Sequence, residues 1–325
     1  MRIILTIALN PAIDINTSVG SLQPERKMRC SAPAFEAGGG AVNVARVVSA
    51  LSGHAMVAYF EGGPTGQKLT TLLEKEGISS LPVPVKNETR ENFNVTDLSN
   101  NRQYRFIMPG KAVSNAECRK LLNAVRKTGM KAGYFVLSGS FPPGIPSGFF
   151  RELNEIADRA GARVIVDTSG EALRQAVDLG VYLIKPNIGE LAALTGRDQL
   201  LEEEAVEAAR EIISAGGAKV VVVSLGEAGA LLVTGEMSEK IPAPLVKRIS
   251  TVGAGDSMVA GIALGLQRGL ELKEVVRFGV ACGTAATLNP GTAGCKKADA
   301  EKLYKNISHK IHSSIPGINV DEQFL

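Results

Sequence analysis

The chain has 325 residues, of which 45% are apolar and 21% are charged, a composition typical of a folded globular protein. Its 36 basic and 33 acidic residues are mixed along the chain, and the lack of Trp, with only 5% aromatic residues, argues against a nucleic-acid surface. No stretch approaches the roughly 18 apolar residues that span a membrane, and the four scattered cysteines form no Cys-x-x-Cys pair that would indicate a zinc site or a disulfide framework.

Short β-branched runs alternate with longer helical patterns along most of the chain. The predicted strands are Ile3–Ala8, Ala55–Phe60, Tyr134–Ser138, Arg163–Asp167, Tyr182–Lys185 and Lys219–Ser224. The predicted helices are Ala41–Leu51, Gln67–Glu76, Ala116–Thr128, Gly148–Ala160, Glu171–Leu179, Glu202–Ala215, Asp256–Arg268, Leu272–Leu288 and Ala298–Ile311. This alternation predicts an α/β fold with a mainly parallel sheet covered by helices on both faces, and such sheets bind ligands beyond the carboxyl ends of their strands.

Two segments, at about 13–32 and 83–108, break this alternation. They contain extended stretches in which polar and apolar residues alternate, such as Asn92–Asp97 and Gln103–Ile107. We expect them to form a small antiparallel sheet apart from the main domain, which would span residues 1–312 with a tail at 313–325. A small sheet with one apolar face needs a cover, so the sequence predicts a lid over the active site that is shared in a homodimer.

The motif Thr251-Val-Gly-Ala-Gly-Asp256 is followed by an apolar helical pattern. Gly253 and Gly255 allow a tight turn that presents free backbone N–H groups at a helix N-terminus, which is an anion-binding arrangement. A carboxylate at that position can accept the proton of an attacking hydroxyl during phosphoryl transfer. The plainer alternative is a tight turn in which Asp256 only caps the helix.

A second glycine-rich segment, Gly38–Gly40, precedes a predicted helix whose first turn contains Asn43. Its glycines would admit a ligand close to the backbone, with Asn43 bonding to a hydroxyl. The alternative is close packing of a helix on a strand. A dinucleotide-binding fingerprint is a rival interpretation, but the G-x-G-x-x-G spacing is absent.

The two motifs, in this order and at this separation, resemble those of the ribokinase-like sugar kinases, the phosphofructokinase B family. Residues 10–14 and 185–190 are also similar to family segments, and the resemblance covers residues 1–311. It implies a ribokinase-like three-layer α/β/α fold with a β lid, and an ATP- and magnesium-dependent kinase. The composition and the lack of a long apolar run predict a cytoplasmic location with no nucleic-acid or membrane partner. Residues 27–30, 89–92 and 103–106 are most similar to the branch that phosphorylates fructose 6-phosphate.

The resemblance implies a role for each matching residue. Asp256 would be the general base, assisted by the amides of Gly253, Ala254 and Gly255. The sugar phosphate would be bound by Asp14, Lys27, Gly39, Asn43, Arg90, Arg105 and Ser138. ATP would be bound by Lys185, Asn187, Ser224, Gly226, Gly229 and Thr251. Lys27 is expected to act across the dimer interface. Without the resemblance, a solvated lid face would be the simpler interpretation of Arg90 and Arg105.

The resemblance also implies two cation sites. Asn187 and Glu190 would position magnesium through waters, because magnesium keeps much of its hydration. A potassium site would be formed by Ser250, Val252, Ala286, Asn289 and Gly291. Similar enzymes carry a basic residue where this chain has Ala293, which is a departure close to that site.

Several alternatives stay open at this level. A 1-phosphofructokinase or a tagatose-6-phosphate kinase would share the arginines and the anion-binding motif. From other classes, a nicotinamide-dependent oxidoreductase lacks its fingerprint here, and a binding protein without catalysis would not require the intact Asp256.

Overall fold

The structure is a computed structural model that describes residues 2–289 and 294–312, and main-chain placement only for 308–312. Thirteen strands lie within these residues: β1 Ile3–Ala8, β2 Ala12–Val19, β3 Ala34–Gly38, β4 Ala55–Gly62, β5 Ser79–Val85, β6 Arg90–Asp97, β7 Arg102–Phe106, β8 Ala132–Ser138, β9 Arg163–Asp167, β10 Val181–Ile184, β11 Ala218–Ser224, β12 Ala230–Thr234 and β13 Ser238–Ile241. The α-helices are α1 Gly40–Ala50, α2 Gly63–Lys75, α3 Asn115–Gly129, α4 Phe149–Ala160, α5 Gly170–Leu179, α6 Ile188–Leu194, α7 Ala205–Ser214, α8 Ala254–Gln267, α9 Leu272–Ala286 and α10 Lys297–His312.

Nine strands form one large sheet in the order β13-β12-β11-β10-β9-β8-β1-β4-β5. All pairings from β11 to β5 are parallel. Neighbouring residues of one strand pack into different cores: Ile4 lies in one hydrophobic cluster with α1, α8 and α9, whereas Leu5 lies in another with α3 and α4. Both faces of the sheet are therefore buried under helices, which confirms the predicted three-layer ribokinase-like fold.

The edge strands of the large sheet differ from the sequence-based expectation. β12 and β13 were not predicted, and they extend the sheet antiparallel to β11, with Val223 opposite Leu231. At the other edge, residues 83–85 complete β5 in the large sheet and do not join the lid. Pro82 and Pro84 obscure this strand in the sequence, and a proline is tolerated there because an edge strand leaves some N–H groups unpaired.

The second sheet is small, with the order β3-β2-β6-β7. Its outer pairings are antiparallel, and the central pairing of β2 with β6 is parallel. This mixed pattern arises because β2 and β6 each leave the main domain in the same direction, separated by α1, β4, α2 and β5. We call this sheet the lid sheet, residues 12–19, 34–38, 90–97 and 102–106.

The strand registers give the lid sheet two different faces. Phe35, Ile15, Phe93 and Phe106 are aligned across the four strands on one face, and the three phenylalanines are 38 to 48% exposed. The opposite face carries Asp14, Asn16, Arg90, Asn92, Asn94, Gln103 and Arg105. The polar face covers the carboxyl edge of the large sheet, because Gln103 contacts Ser250 at 3.1 Å.

Among the described residues, no helix is both long and apolar enough to cross a membrane.

Candidate active site

The carboxyl ends of three adjacent strands, β10, β9 and β8, bring polar side chains together. Lys185 follows β10, and its Nζ lies 2.9 Å from Oδ1 of Asp167 at the end of β9. Ser138, at the end of β8, donates its hydroxyl to Oδ2 of the same carboxylate at 3.2 Å. Burial alone would lower the pKa of Lys185, but the charge and hydrogen bond of Asp167 outweigh burial and raise it. Lys185 is therefore a buried ammonium fixed at the edge of the sheet.

Asp256 lies in the first turn of α8, above this ion pair. Gly253 is the residue before the helix and has φ 73°, a left-handed conformation that favours glycine. Asp256 does not cap the helix with its side chain; its Oδ2 instead accepts a 2.8 Å hydrogen bond from Nδ2 of Asn43. Burial and the nearby charge of Asp167 raise the pKa of Asp256 to about 6, although Asn43, Lys185 and Arg105 act in the opposite direction. A carboxyl with this pKa is suited to accept a proton near neutral pH.

The backbone around Asp256 is an anion-binding turn. The first N–H groups of α8, from Ala254 onward, have no partner within the helix. A side chain at Gly255 would place its Cβ 3.9 Å from Nζ of Lys185, so the helix start and the ammonium group adjoin. The positive end of the helix and the Lys185 charge together favour a phosphate at this position.

The glycine-rich segment before α1 fits tightly against two of these groups. A Cβ at Gly38 would lie 2.3 Å from Oδ2 of Asp14, and a Cβ at Gly40 would lie 2.5 Å from Oγ of Ser138. Gly39 itself has φ 104° and precedes α1. The segment therefore has to be glycine so that the backbone can pass beside Asp14 and Ser138, and this path places Asn43 next to Asp256.

Asp14 is buried on the polar face of the lid sheet. Nδ2 of Asn92 donates a 2.8 Å hydrogen bond to its Oδ1. Burial raises the pKa of Asp14, while Asn92, Arg105 and Arg90 oppose the rise. The guanidinium group of Arg90 is held in place by two hydrogen bonds, which it donates to the carbonyl oxygens of Met108 at 2.8 Å and Asn10 at 3.0 Å. Two guanidinium groups and a carboxylate thus face the same space under the lid sheet.

Lys27 lies outside this group. It is an exposed residue of the segment between β2 and β3, at the outer end of the lid sheet. Within one chain the structure therefore does not bring Lys27 to the cluster formed by the other sugar-phosphate residues.

A cavity of about 470 Å³ lies beside the start of α8. The residues predicted to bind ATP line part of it: Ser224, Gly226, Gly229 and Thr251. Ser224 ends β11, and its backbone N–H donates to the carbonyl of Pro186 at 2.8 Å, which joins the cavity to the segment of Lys185 and Asn187. The remaining lining is largely apolar, including Val246, Met258 and Val280, as in many small-molecule sites.

Asn187 and Glu190 form a capping box at the start of α6. The side chain of each accepts a hydrogen bond from the backbone N–H of the other, at 2.8 and 2.9 Å. Both side chains therefore cap the start of α6 in this structure. Within residues 2–289 and 294–312, no three His, Cys, Asp or Glu side chains are grouped as they would be around a metal ion. Any magnesium here would keep most of its water ligands.

The residues predicted for a potassium site fall on two adjoining segments. Oγ of Ser250 accepts from the backbone N–H of Val252 at 3.1 Å, and the backbone N–H of Ser250 donates to Thr287 at the end of α9. Asn289 donates to the carbonyl of Gly294 at 2.9 Å, and Ala286 closes α9. Gly291 and Ala293 lie outside the described residues.

Sequence reasoning missed three residues of this region. Asp167, which contacts both Lys185 and Ser138, was predicted only as the last residue of a strand. Asn92 orients Asp14, and Gln103 connects the lid sheet to Ser250. The signal for Asp167 was its position at the end of a parallel strand next to Lys185, where side chains of adjacent strands meet.

Comparison with known proteins agrees with this geometry. A profile described as pfkB family carbohydrate kinase matches residues 6–299. The chain therefore belongs to the pfkB family of carbohydrate kinases. Membership in this family identifies the chain as an ATP-dependent sugar kinase and excludes the oxidoreductase alternative.

Relatives of this pfkB family kinase differ in how similar they are. The chain is 44% identical over 306 residues to the ATP-dependent 6-phosphofructokinase isozyme 2 of Escherichia coli K12, covering 94% of this chain and 99% of the relative. It is 34% identical over 307 residues to a 1-phosphofructokinase of Haloferax volcanii, covering 94% and 97%. The 6-phosphofructokinase is thus the nearer of the two.

Solved structures show the same fold. The phosphofructokinase-2 of Escherichia coli in complex with fructose-6-phosphate has 43% identity and a TM-score of 0.89, with 95% of this chain and 100% of that chain covered. The same enzyme in complex with potassium has 44% identity and a TM-score of 0.91, with the same coverage.

Proposed function

We propose that this kinase transfers the γ-phosphoryl group of ATP to the C1 hydroxyl of fructose 6-phosphate, with Asp256 as the general base. One observation carries the choice of a phosphorylated sugar. Burial raises the pKa of both Asp14 and Asp256, and Arg105 opposes that rise at both carboxyls. Arg105 lies on the same polar face of the lid sheet as Asp14, and its charge favours the ionised form of both carboxyls. A bound dianionic phosphate suits this cation and the neighbouring Arg90, whose pKa is lowered by burial.

The proposed binding mode divides the site into two halves. Asp14, Gly39 and Asn43 would hold the sugar hydroxyls, while Arg90, Arg105 and Ser138 would hold its phosphate. Lys185, Ser224, Gly226, Gly229 and Thr251 would hold ATP along the cavity beside α8. Asp256 stands where the two halves meet, because Asn43 of the sugar half donates directly to its carboxylate.

In the proposed reaction, Asp256 accepts the proton of the C1 hydroxyl as that oxygen attacks the γ-phosphorus. The amides of Gly253 to Asp256 donate to the oxygens of the transferring group, and the Lys185 ammonium offsets their charge. Asn187 and Glu190 would hold the magnesium that accompanies ATP, through waters, and the metal would neutralise phosphate charge. Closure of the lid sheet would limit the access of water, which competes as the acceptor.

We further propose a homodimer formed by the apolar face of the lid sheet. Phe35, Phe93 and Phe106 are aligned on that face and exposed, and a second copy of the chain would bury them. In such a dimer Lys27 would reach the partner's sugar-phosphate site, which accounts for its distance from the site of its own chain. A potassium ion bound by Ser250, Val252, Ala286 and Asn289 is proposed on the resemblance to related kinases.

The test is a coupled ADP-release assay with MgATP and four acceptors: fructose 6-phosphate, fructose 1-phosphate, tagatose 6-phosphate and fructose. The proposal predicts the highest kcat/KM with fructose 6-phosphate. A higher value with fructose 1-phosphate or tagatose 6-phosphate would move the chain to the corresponding branch of the family. Turnover of none of them would support the interpretation as a binding protein.

A further inference from the structure

The cavity beside α8 has an uneven distribution of charge. Among the described residues that line it, only Glu227 and Arg248 carry charged side chains. The two form an ion pair with each other. We call Glu227 and Arg248 the rim pair, since both are substantially exposed and lie at the mouth of the cavity, with side chains 73% and 45% accessible.

The rim pair joins two separate walls of the cavity. Glu227 lies in the short turn Gly226–Ala228 that follows β11, and Arg248 lies in the segment that leads from β13 to Thr251. Residues 242–248 of that segment have no regular secondary structure, and Leu245 within it is 98% exposed. The rim pair is therefore a direct side-chain link between an irregular wall and the turn opposite it.

The two ends of the cavity differ in chemistry, which indicates how a nucleotide would lie. The polar end contains Thr251, Ala254 and Gly255, next to the Lys185 ammonium and the first turn of α8. This end suits the phosphates. The rest of the lining is largely apolar, with Leu245, Val246 and Val280, and suits the flat face of a base. Arg248 lines the same cavity two positions after Val246 in the chain, and Glu227 lines it from the turn after β11.

We propose that the rim pair spans the mouth of the nucleotide cavity over the base and ribose, and that it determines the affinity for the nucleoside part of ATP. The proposal uses only the nucleotide half of the proposed function. With the cavity empty the pair is well hydrated and contributes little. A base below it excludes water from one side, so the same ion pair becomes stronger when the nucleotide is bound.

The proposal is tested by measuring the binding of two probes to the full-length protein by calorimetry. MgADP contains the base and ribose, and inorganic tripolyphosphate contains only the phosphate chain. The variants are Glu227→Gln, Arg248→Gln, the double variant, and the charge exchange Glu227→Arg with Arg248→Glu. The control is Arg197→Gln, which removes a comparable ion pair at 2.7 Å between Arg197, in the segment after α6, and Glu211 of α7. Neither residue lines the cavity.

We expect each single variant to bind MgADP roughly two- to tenfold more weakly, as exposed or partly exposed ion pairs allow. The double variant should be no weaker than the singles, and the charge exchange should restore most of the affinity. Binding of tripolyphosphate should be unchanged in all of them, as should binding of MgADP to the control.

Three results would overturn the proposal. Unchanged MgADP affinity in the single variants would remove the rim pair from nucleotide binding while leaving the proposed reaction intact. Equal losses for MgADP and tripolyphosphate in Arg248→Gln would make Arg248 a phosphate ligand and not a part of a pair over the base. Lack of MgADP binding by the unmodified protein would overturn both this inference and the proposed function.

Discussion

The amide of Asn43 donates a 2.8 Å hydrogen bond to the carboxylate of Asp256, across 213 positions of sequence. This contact joins the two glycine-rich motifs that the sequence shows separately. The first motif passes beside Asp14 and Ser138, which only glycine permits, and delivers Asn43. The second motif starts α8 and delivers Asp256. Their meeting places a carboxyl of raised pKa at the boundary between the sugar half and the nucleotide half of the site.

The first prediction concerns the pH dependence of the reaction. The general base must be ionised, and the pKa of Asp256 is raised to about 6. We expect kcat/KM to fall by about tenfold per pH unit below that value. The phosphate monoester of the substrate also titrates near pH 6. The pH profile of the unmodified enzyme alone therefore does not distinguish Asp256 from the substrate phosphate.

Two variants make the assignment by shifting the acid limb in opposite directions. Asp167→Asn removes a charge that raises the pKa of Asp256, so the limb should move to lower pH. Asn43→Ala removes a hydrogen bond that lowers it, so the limb should move to higher pH. The substrate is the same in all three profiles. Identical limbs in all three would assign the titration to the sugar phosphate instead.

The second prediction concerns stability. The native pKa of Asp256 is about 6 against an ordinary value of 3.8, so the folded protein holds the proton more tightly than the unfolded chain. Stability is therefore lost as the pH rises from about 4 to 6, by roughly 2–3 kcal/mol, and stays lowered above that range. Asp256→Asn should unfold at a higher temperature than the unmodified protein at pH 8, and the gain should shrink at pH 4.5. If Asp256→Asn unfolded at a lower temperature than the unmodified protein at pH 8, the ionised Asp256 would not be destabilising, which would contradict this account.

The third prediction concerns recognition of the substrate phosphate. Arg105→Gln should raise KM for fructose 6-phosphate by roughly ten- to a hundredfold, because a hydrogen-bonded charge pair is lost. KM for ATP should change little, and any weak turnover of fructose should be unaffected. Arg102→Gln is the matched control, since Arg102 lies on the same strand and on the opposite face of the lid sheet. Equal effects of the two substitutions would mean that Arg105 acts only through the fold of the lid sheet.

The fourth prediction concerns the apolar face of the lid sheet. Phe93→Asp should convert a dimer into a monomer in light scattering at micromolar concentration, because it places a charge in the centre of the aligned aromatic row. If Lys27 acts on the partner's substrate, KM for fructose 6-phosphate should rise with dissociation. Leu98→Asp, at an exposed turn beyond that row, should change neither property. A monomeric unmodified protein with full activity would exclude the shared lid.

The sequence indicated the fold and the main residues of the site because both depend on local patterns. Strand–helix alternation predicted the layers. By resemblance, the two glycine motifs predicted Asn43 and Asp256 as site residues, and the segment 185–190 predicted Lys185. Asp167 was missed, since its importance comes from two neighbours on adjacent strands, Ser138 and Lys185, and an acidic residue at a strand end is common.

Pairing between distant strands was the other part that the sequence did not reveal. β12 and β13 are short strands. β12 pairs with the edge of β11 that would otherwise be unpaired, and β13 pairs with β12. The parallel pairing of β2 with β6 depends on how the chain returns after four intervening elements of the main domain. Neither feature has a local signature, because alternation of polar and apolar residues is the same for parallel and antiparallel strands.

The most direct test of the proposed mechanism is the turnover of Asp256→Asn with MgATP and fructose 6-phosphate. The variant keeps an oxygen that can accept the hydrogen bond of Asn43, and it loses the base. We expect kcat to fall by roughly two to four orders of magnitude, with MgADP and fructose 6-phosphate bound about as tightly as before. A kcat within a fewfold of the unmodified enzyme would contradict the account, because the proton would then leave by a route that does not involve Asp256.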